Sequence, residues 1–303
     1  MTRPLLVGVQ LPEVERYVGW AELTEMAVVA EDVGVDSLWV GDHLLYDLPD
    51  GVVRGPWEVW TSLAALAAVT KRVQLGPLVA SLSFHSPQML AKMAATVDAI
   101  SGGRLVLGIG AGWNEREYRA FGLPFDRRVD RFEESFHVLR RLLAGDEVTH
   151  HGEFHSFERC RIDPPAARPG GPPLLVGSTG PRMLAITLPH AHAWNVWFAQ
   201  YGNTVEGFSA VKRGVDEHLM AAGRQVDDVQ ATAAVLVQAP GGHGRAMGGD
   251  GRSVGPISGA PSEVAERLAA FAAAGAHHVQ LVLDPITRPS IEWVGQVLQA
   301  LDK

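Results

Sequence analysis

Several features that would define a protein's class are scarce in this 303-residue chain. It has one cysteine, Cys160, so no disulfide can form within it. No run reaches the roughly 18 apolar residues of a membrane-spanning helix, and the first residues, MTRPLLVGVQLPEVERY, lack the apolar segment and cleavage site of a signal peptide. Lysine and arginine number 26 against 34 acidic residues, for a net charge of −8. We therefore expect a cytoplasmic protein with no general nucleic-acid surface and no membrane contact.

Common catalytic motifs are also missing. The sequence contains neither the G-x-x-x-x-G-K-[ST] phosphate loop nor the G-x-S-x-G nucleophile elbow. The glycines at 108–112 do not have the G-x-G-x-x-G spacing of a nicotinamide-binding fold. Three histidines between residues 146 and 162 have metal-ligand spacing, but that segment is typical of an exposed β-hairpin, so we predict no metal site. The sequence shows no strong nucleophile, so the chemistry is expected to come from a cofactor.

What the sequence does contain is a regular alternation of short apolar runs with amphipathic segments. Near-continuous apolar runs are typical of parallel strands that are covered on both faces. Eight of them in one chain predict an α/β fold, a (β/α)8 TIM barrel in a single domain spanning 1–303, with an open doubly wound sheet as the alternative. The predicted strands are Leu5–Leu11, Ser37–His43, Val73–Ser81, Arg104–Gly110, Leu174–Ser178, Ala193–Phe198, Ala231–Gln238 and His277–Leu283.

Two segments depart from this rhythm. Residues 113–173 separate strands four and five by far more than one helix, which predicts an insertion after strand four containing the hairpin at 146–162. Residues 239–260 are rich in glycine and nearly without apolar anchors. They predict a loop after strand seven, which is either a lid over the barrel or an insertion without function.

The ends of strands two to four carry candidate site residues, since barrel active sites lie at the carboxyl ends of the strands. Asp42 and His43 follow strand two, where a histidine can act as a general acid or base and the aspartate can adjust its pKa or bind a ligand. The alternative is a capping aspartate and a packing histidine. Pro77 predicts an irregular backbone in strand three, before Ser81. Asn114 follows strand four and offers a donor and an acceptor to a heterocycle.

The stretch PPLLVGSTGPRMLAI (172–186) joins strand five to a predicted helix through two glycines. Backbone N–H groups at such a turn, together with the positive end of the helix and an arginine, are suited to binding a phosphate. An ordinary capped strand-to-helix turn is the alternative. The candidate phosphate ligands are Gly177, Ser178, Thr179, Gly180 and Arg182.

Several blocks, in order along nearly the whole chain, resemble the bacterial luciferase-like flavin and deazaflavin oxidoreductases. The most specific is SFHSPQMLAKMAATVDAISGGRLVLGIGAGWNEREYRAFG (83–122). The others are GVDSLWVGDHL (34–44), LAALAAVTKRVQLGPLV (63–79), LLVGSTGPRMLAI (174–186) and AHAWN (191–195).

This resemblance implies a TIM barrel with an insertion after strand four and a phosphorylated tricyclic cofactor across its mouth. Asp42 would touch the edge of the ring, and His43 would be the candidate proton donor. A non-proline cis peptide would fall at Leu78–Val79, behind the ring. Ser81 and Asn114 would bond the heterocycle or its ribityl chain, and the phosphate would lie among the five candidate ligands named above.

The motifs GDHL and GWNEREYRAFG look closer to the branch that uses coenzyme F420 than to the branch that uses FMN. We therefore expect an F420-dependent oxidoreductase that transfers a hydride to or from a small organic substrate. An FMN-dependent monooxygenase supplied by a separate reductase is the alternative. A barrel that binds a flavin or another phosphorylated ligand without catalysis is a third possibility. The relatives also imply a homodimer.

Overall fold

Eight parallel strands form a barrel in the computed structural model, which describes residues 3–48, 51–243 and 254–303. The third strand, β3, has two segments, of which the first pairs with β2 and the second with β4, so that β3 completes the ring. The predicted TIM barrel is confirmed, and the open sheet is wrong. The strands are β1 (Leu6–Gln10), β2 (Ser37–Val40), β3 (Gln74–Pro77 and Ala80–Ser81), β4 (Leu107–Gly110), β5 (Leu174–Gly177), β6 (Ala193–Val196), β7 (Gln230–Gln238) and β8 (His278–Asp284).

The strand ends differ from the sequence prediction where they matter most for the site. β2 ends at Val40 rather than His43, so Asp42 and His43 lie in the loop beyond the ladder. β6 ends at Val196, because Phe198 begins a short helix. At β6 the apolar residues continue through Trp197 and Phe198 beyond the last residue of the strand, so composition alone does not mark that end.

Helices surround the barrel and bury apolar faces against the strands. The helix after β3 begins at Pro87, where a missing N–H costs nothing, and ends before the left-handed Gly102 (φ 67°). No described helix is long and apolar enough to cross a membrane. The helices are α1 (Trp20–Asp32), α2 (Val59–Val69), α3 (Pro87–Ser101), α4 (Glu115–Phe121), α5 (Arg128–Leu143), α6 (Pro181–Thr187), α7 (Phe198–Tyr201), α8 (Val205–Ala221), α9 (Pro261–Ala273) and α10 (Arg288–Leu301).

The insertion between β4 and β5 contains α4, α5 and an antiparallel hairpin, Val148–His151 with Ser156–Cys160, which confirms the predicted hairpin. Its histidines are bound by protein groups. His150 contacts Glu134 at 3.0 Å, and His155 contacts Ser135 at 3.0 Å. Across the three described ranges, no cluster of three or more histidine, cysteine or acidic side chains could hold a metal.

The predicted loop after β7 lies partly outside the described residues, which omit 244–253. Its returning end is anchored, because Ile257 pairs in parallel with Val237 on β7. Asn203 reinforces this anchor by donating from Nδ2 to the carbonyl oxygens of Leu236 (2.9 Å) and Gly255 (3.1 Å).

Candidate functional site

A cavity of about 1020 Å³ opens at the carboxyl ends of the strands. This is the end of the barrel where active sites are found. Nine of the eleven predicted site residues line it, which brings together side chains from the ends of β2, β3 and β5. They are Asp42, His43, Leu78, Val79, Ser81, Gly177, Ser178, Thr179 and Gly180.

Asn114 and Arg182, the other two, do not line this cavity. The Asn114 amide donates to the carbonyl oxygen of Leu45 at 3.0 Å. The Arg182 guanidinium forms ion pairs with Asp130 (2.6 Å) and Glu133 (2.7 Å). Both side chains already have protein partners, so the structure does not bring them to the expected ligand.

Val79 and neighbouring glycines form the cavity floor. The Leu78–Val79 peptide is cis, as the resemblance implied. A Cβ added to Gly110 or Gly177 would lie 2.9 Å from a Val79 methyl carbon, closer than real Cβ contacts. Glycine is therefore needed at both positions for this close packing, and the floor stays low enough for a flat ligand.

His43 forms an ion pair with a buried carboxylate from the insertion. Its Nδ1 lies 3.0 Å from Oε1 of Glu117, a residue of α4 that is 1% exposed. The other carboxylate oxygen accepts from the backbone N–H of Leu44 at 2.8 Å. Burial lowers the pKa of His43, but the hydrogen bond to Glu117 and the charges of Glu13, Glu117 and Asp42 outweigh it and raise that pKa above its ordinary value.

Asp42 is a buried carboxyl group beside this pair. The backbone N–H of Ser81 donates to its Oδ2 at 2.8 Å. Burial raises the pKa of Asp42 to about 7, with smaller effects from neighbouring charges and from the Ser81 hydrogen bond, which lowers it. Asp42 can therefore change its protonation state near neutral pH.

Two aromatic rings flank His43. The Tyr46 ring centroid lies 4.6 Å from that of His43, and the Trp113 centroid lies at 5.7 Å. Burial, with nearby Glu13 and Glu117, raises the pKa of Tyr46 well above its ordinary value, so its hydroxyl stays protonated.

Ser81 and Gln10 provide further polar atoms at the wall. The Ser81 hydroxyl lies 2.8 Å from the Tyr118 hydroxyl, which donates to the carbonyl oxygen of Ala111 at 3.1 Å. Gln10 donates from Nε2 to Glu13 at 2.7 Å, while its buried Oε1 has no partner within the described part of the chain. Gln10 lines the cavity wall, while this oxygen is itself buried from solvent.

Residues 177–180 lead from β5 into α6, which begins at Pro181 after Gly180, and no described side chain caps this helix. The Ser178 hydroxyl accepts from the N–H of Gly180 at 3.3 Å, and the Ser178 carbonyl accepts from Trp194 Nε1 at 2.7 Å. These bonds fix the turn at the cavity wall.

Sequence reasoning missed Glu117, Tyr46, Trp113 and Gln10. Glu117 and Trp113 lie in the block GWNEREYRAFG that carried the resemblance, and Tyr46 follows His43 by three residues. Their position beside already suspected residues was a signal that could have found them. Gln10 ends β1, where a polar residue closes an apolar run.

Comparison with known proteins identifies the family to which the sequence is similar. The family model of the luciferase-like monooxygenases matches residues 5–240. The chain is 29% identical to 5,10-methylenetetrahydromethanopterin reductase of Archaeoglobus fulgidus. The alignment covers 72% of this chain but only 59% of the length of that protein. It is 31% identical to F420-dependent glucose-6-phosphate dehydrogenase of Amycolatopsis mediterranei, over 76% of this chain and 68% of that protein.

Among solved structures, an F420-dependent secondary alcohol dehydrogenase in complex with an F420-acetone adduct superposes with a TM-score of 0.82. The superposition covers 98% of this chain and 99% of the other. The sequence identity is 18%, so this likeness establishes the fold alone.

Proposed function

Because the chain belongs to the luciferase-like monooxygenase family, we propose that it is an F420-dependent oxidoreductase acting on a small organic substrate. The observation that carries this proposal is the His43–Glu117 pair in the wall of the barrel-mouth cavity. Two relatives named for a reductase and for an F420-dependent dehydrogenase support the reaction type.

The cavity residues fit a phosphorylated tricyclic cofactor. A volume of about 1020 Å³ is at the upper end for small-molecule sites, which leaves room for a cofactor ring and a substrate together. The ring would lie over Val79, with Asp42 and Ser81 at its edge. The turn at 177–180 would hold the phosphate. When bound, a deazaflavin supplies or accepts a hydride.

His43 would handle the proton that accompanies the hydride. Its Nδ1 is engaged by Glu117, which leaves Nε2 as the atom that can donate to or accept from a substrate oxygen. The raised pKa keeps the imidazolium populated to higher pH than an ordinary histidine, as a proton donor requires. Glu117 would hold the His43 imidazole in position and stabilise its positive charge.

The alternative is an FMN-dependent monooxygenase that receives reduced flavin from a separate reductase. The family is named for monooxygenases, which supports this alternative. Residues 177–180 would accept the phosphate of either cofactor. The Asp42 carboxyl would likewise face either ring. The choice of F420 therefore depends on the relatives rather than on the cavity.

An absorption spectrum distinguishes the candidates. The purified chain is incubated with F420 or with FMN, desalted, and measured for retained cofactor. We expect F420 to be retained, and His43→Ala to retain it while losing single-turnover hydride transfer with a panel of ketones and alcohols. Retention of FMN alone would favour the monooxygenase, and retention of neither would favour a barrel without catalysis. Unchanged turnover in His43→Ala would remove His43 from the reaction.

A further inference from the structure

A second, smaller cavity of about 160 Å³ adjoins the barrel mouth. It lies between the β1–α1 and β2–α2 loops, and it shares Glu13 and Arg54 with the wall of the large cavity. These two side chains form the wall that the two cavities share. Its outer wall includes Arg16, Tyr17, Val18, Pro56 and Trp57.

Trp57 is exposed but held in one orientation. Its side chain is 43% exposed, yet Nε1 donates to the carbonyl oxygen of Val18 at 3.0 Å. The edge of Trp20 packs against it, with ring centroids 6.3 Å apart and an interplanar angle of 87°. An exposed aromatic ring that is already fixed loses little conformational entropy when a ligand stacks on it.

Tyr17 also lines this cavity, beside Trp57. Its ring is 76% exposed, and its centroid lies 6.4 Å from that of Trp57. Contiguous exposed apolar groups are a feature of ligand-binding surfaces. The planes of the two rings are tilted by 55°.

Arg54 stands between the two cavities and is also fixed. Its Nη1 donates to the carbonyl oxygens of Val14 (2.6 Å) and Glu15 (2.7 Å), and its backbone pairs with Tyr46 in the short hairpin after β2. Arg54 is therefore a fixed side chain in the wall that the two cavities share.

We propose that the cavity beside Trp57 is a subsite for a planar aromatic group of the substrate, whose reacting carbon lies near His43. This rests on the proposed function, since it assumes that the large cavity holds the reaction. Aromatic pairs favour each other beyond the area they bury, which selects a flat ring over a saturated one. The substrate class is thus an alcohol or carbonyl compound with an aromatic group set apart from the reacting carbon.

Three probes test the subsite by binding alone. Benzyl alcohol has one ring, para-phenylbenzyl alcohol adds a second, and para-cyclohexylbenzyl alcohol replaces that second ring with a saturated one. Each is titrated calorimetrically into the wild-type chain with and without F420, while the indole N–H resonance of Trp57 is followed by NMR. We expect the second aromatic ring to tighten binding roughly tenfold, and the saturated ring to tighten it less.

Variants attribute this gain to Trp57. Trp57→Ala should remove the advantage of the two-ring probe, and Trp57→Phe should keep most of it because a ring remains. Phe121→Ala removes an exposed ring that lines neither cavity and should change nothing. Retained F420 in each variant shows that the barrel is folded.

The outcomes separate this proposal from the proposed function. An advantage that survives Trp57→Ala, equal binding of the saturated probe, or an unmoved Trp57 resonance would each overturn the aromatic subsite while F420 binding still stands. A wild-type chain that takes up no F420 contradicts the proposed function instead, and probe binding without cofactor then reports on the subsite by itself.

Discussion

Glu117→Gln should lower the proton affinity of His43. Glu117 accepts from His43 Nδ1 at 3.0 Å and from the N–H of Leu44 at 2.8 Å. A glutamine has one acceptor oxygen, which can keep the Leu44 bond while the amide N–H₂ faces His43. Nδ1 then becomes an acceptor, which is possible only for the neutral imidazole, so the pKa of His43 falls.

The size of the effect follows from the burial of the pair. The side chains of His43 and Glu117 are 18% and 1% exposed, so solvent screens them weakly. A hydrogen bond to a charged partner contributes about 1.5–3 kcal/mol, which corresponds to a factor of roughly ten to a hundred in the proton-binding constant. Hydride transfer that needs the imidazolium is lost as pH rises through the pKa of His43. In Glu117→Gln this loss should therefore occur at a lower pH than in the wild type.

An NMR titration of the His43 Cε1–H resonance measures this directly, with assignment by its loss in His43→Gln. Glu115→Gln is the matched control, because Glu115 lies on the same helix but is exposed and paired with Arg119. A His43 titration that is the same in Glu117→Gln as in Glu115→Gln would refute the role assigned to the buried carboxylate.

Three further outcomes are expected. Folding raises the pKa of Asp42, so the folded state binds more protons than the unfolded state between about pH 4 and 7. The contribution of Asp42 to stability therefore falls as pH rises through that range, and the melting temperature of Asp42→Asn should rise relative to that of the wild type. Gly177→Ala should crowd Val79 and cost about 1–3 kcal/mol in a urea titration, with partial recovery when combined with Val79→Ala; equal losses in the single and double variants would contradict the contact. Arg182→Ala should leave F420 affinity nearly unchanged, since its guanidinium is paired with Asp130 outside the cavity; a large loss would return Arg182 to the phosphate site.

The barrel was predictable because each strand is buried on both sides and therefore carries a continuous apolar run. β1, β7 and β8 lie within a residue or so of the predicted spans. Closure was not predictable from strand count, because it depends on β3 pairing with both neighbours. The irregular backbone expected from Pro77 was confirmed as the break between the two segments of β3.

The candidate site was predictable where residues follow a strand directly, and less so where they come from the insertion. Glu115 and Glu117 stand two residues apart in the same charged segment. One is exposed and the other fully buried against His43, and this difference arises from how α4 packs on the loop after β2. Local sequence does not contain that information, since either glutamate suits a solvated helix face.

The origin of Glu117 in the insertion has a consequence for how such barrels diverge. The His43 imidazole lies in the loop after β2, which is part of the barrel. Glu117 lies in the insertion between β4 and β5, a segment that could be exchanged, shortened or remodelled without changing the strands. Engineering that segment to admit a new compound would therefore also retune acid–base behaviour at the reacting carbon. Selectivity and pH optimum should change together in such chimeras.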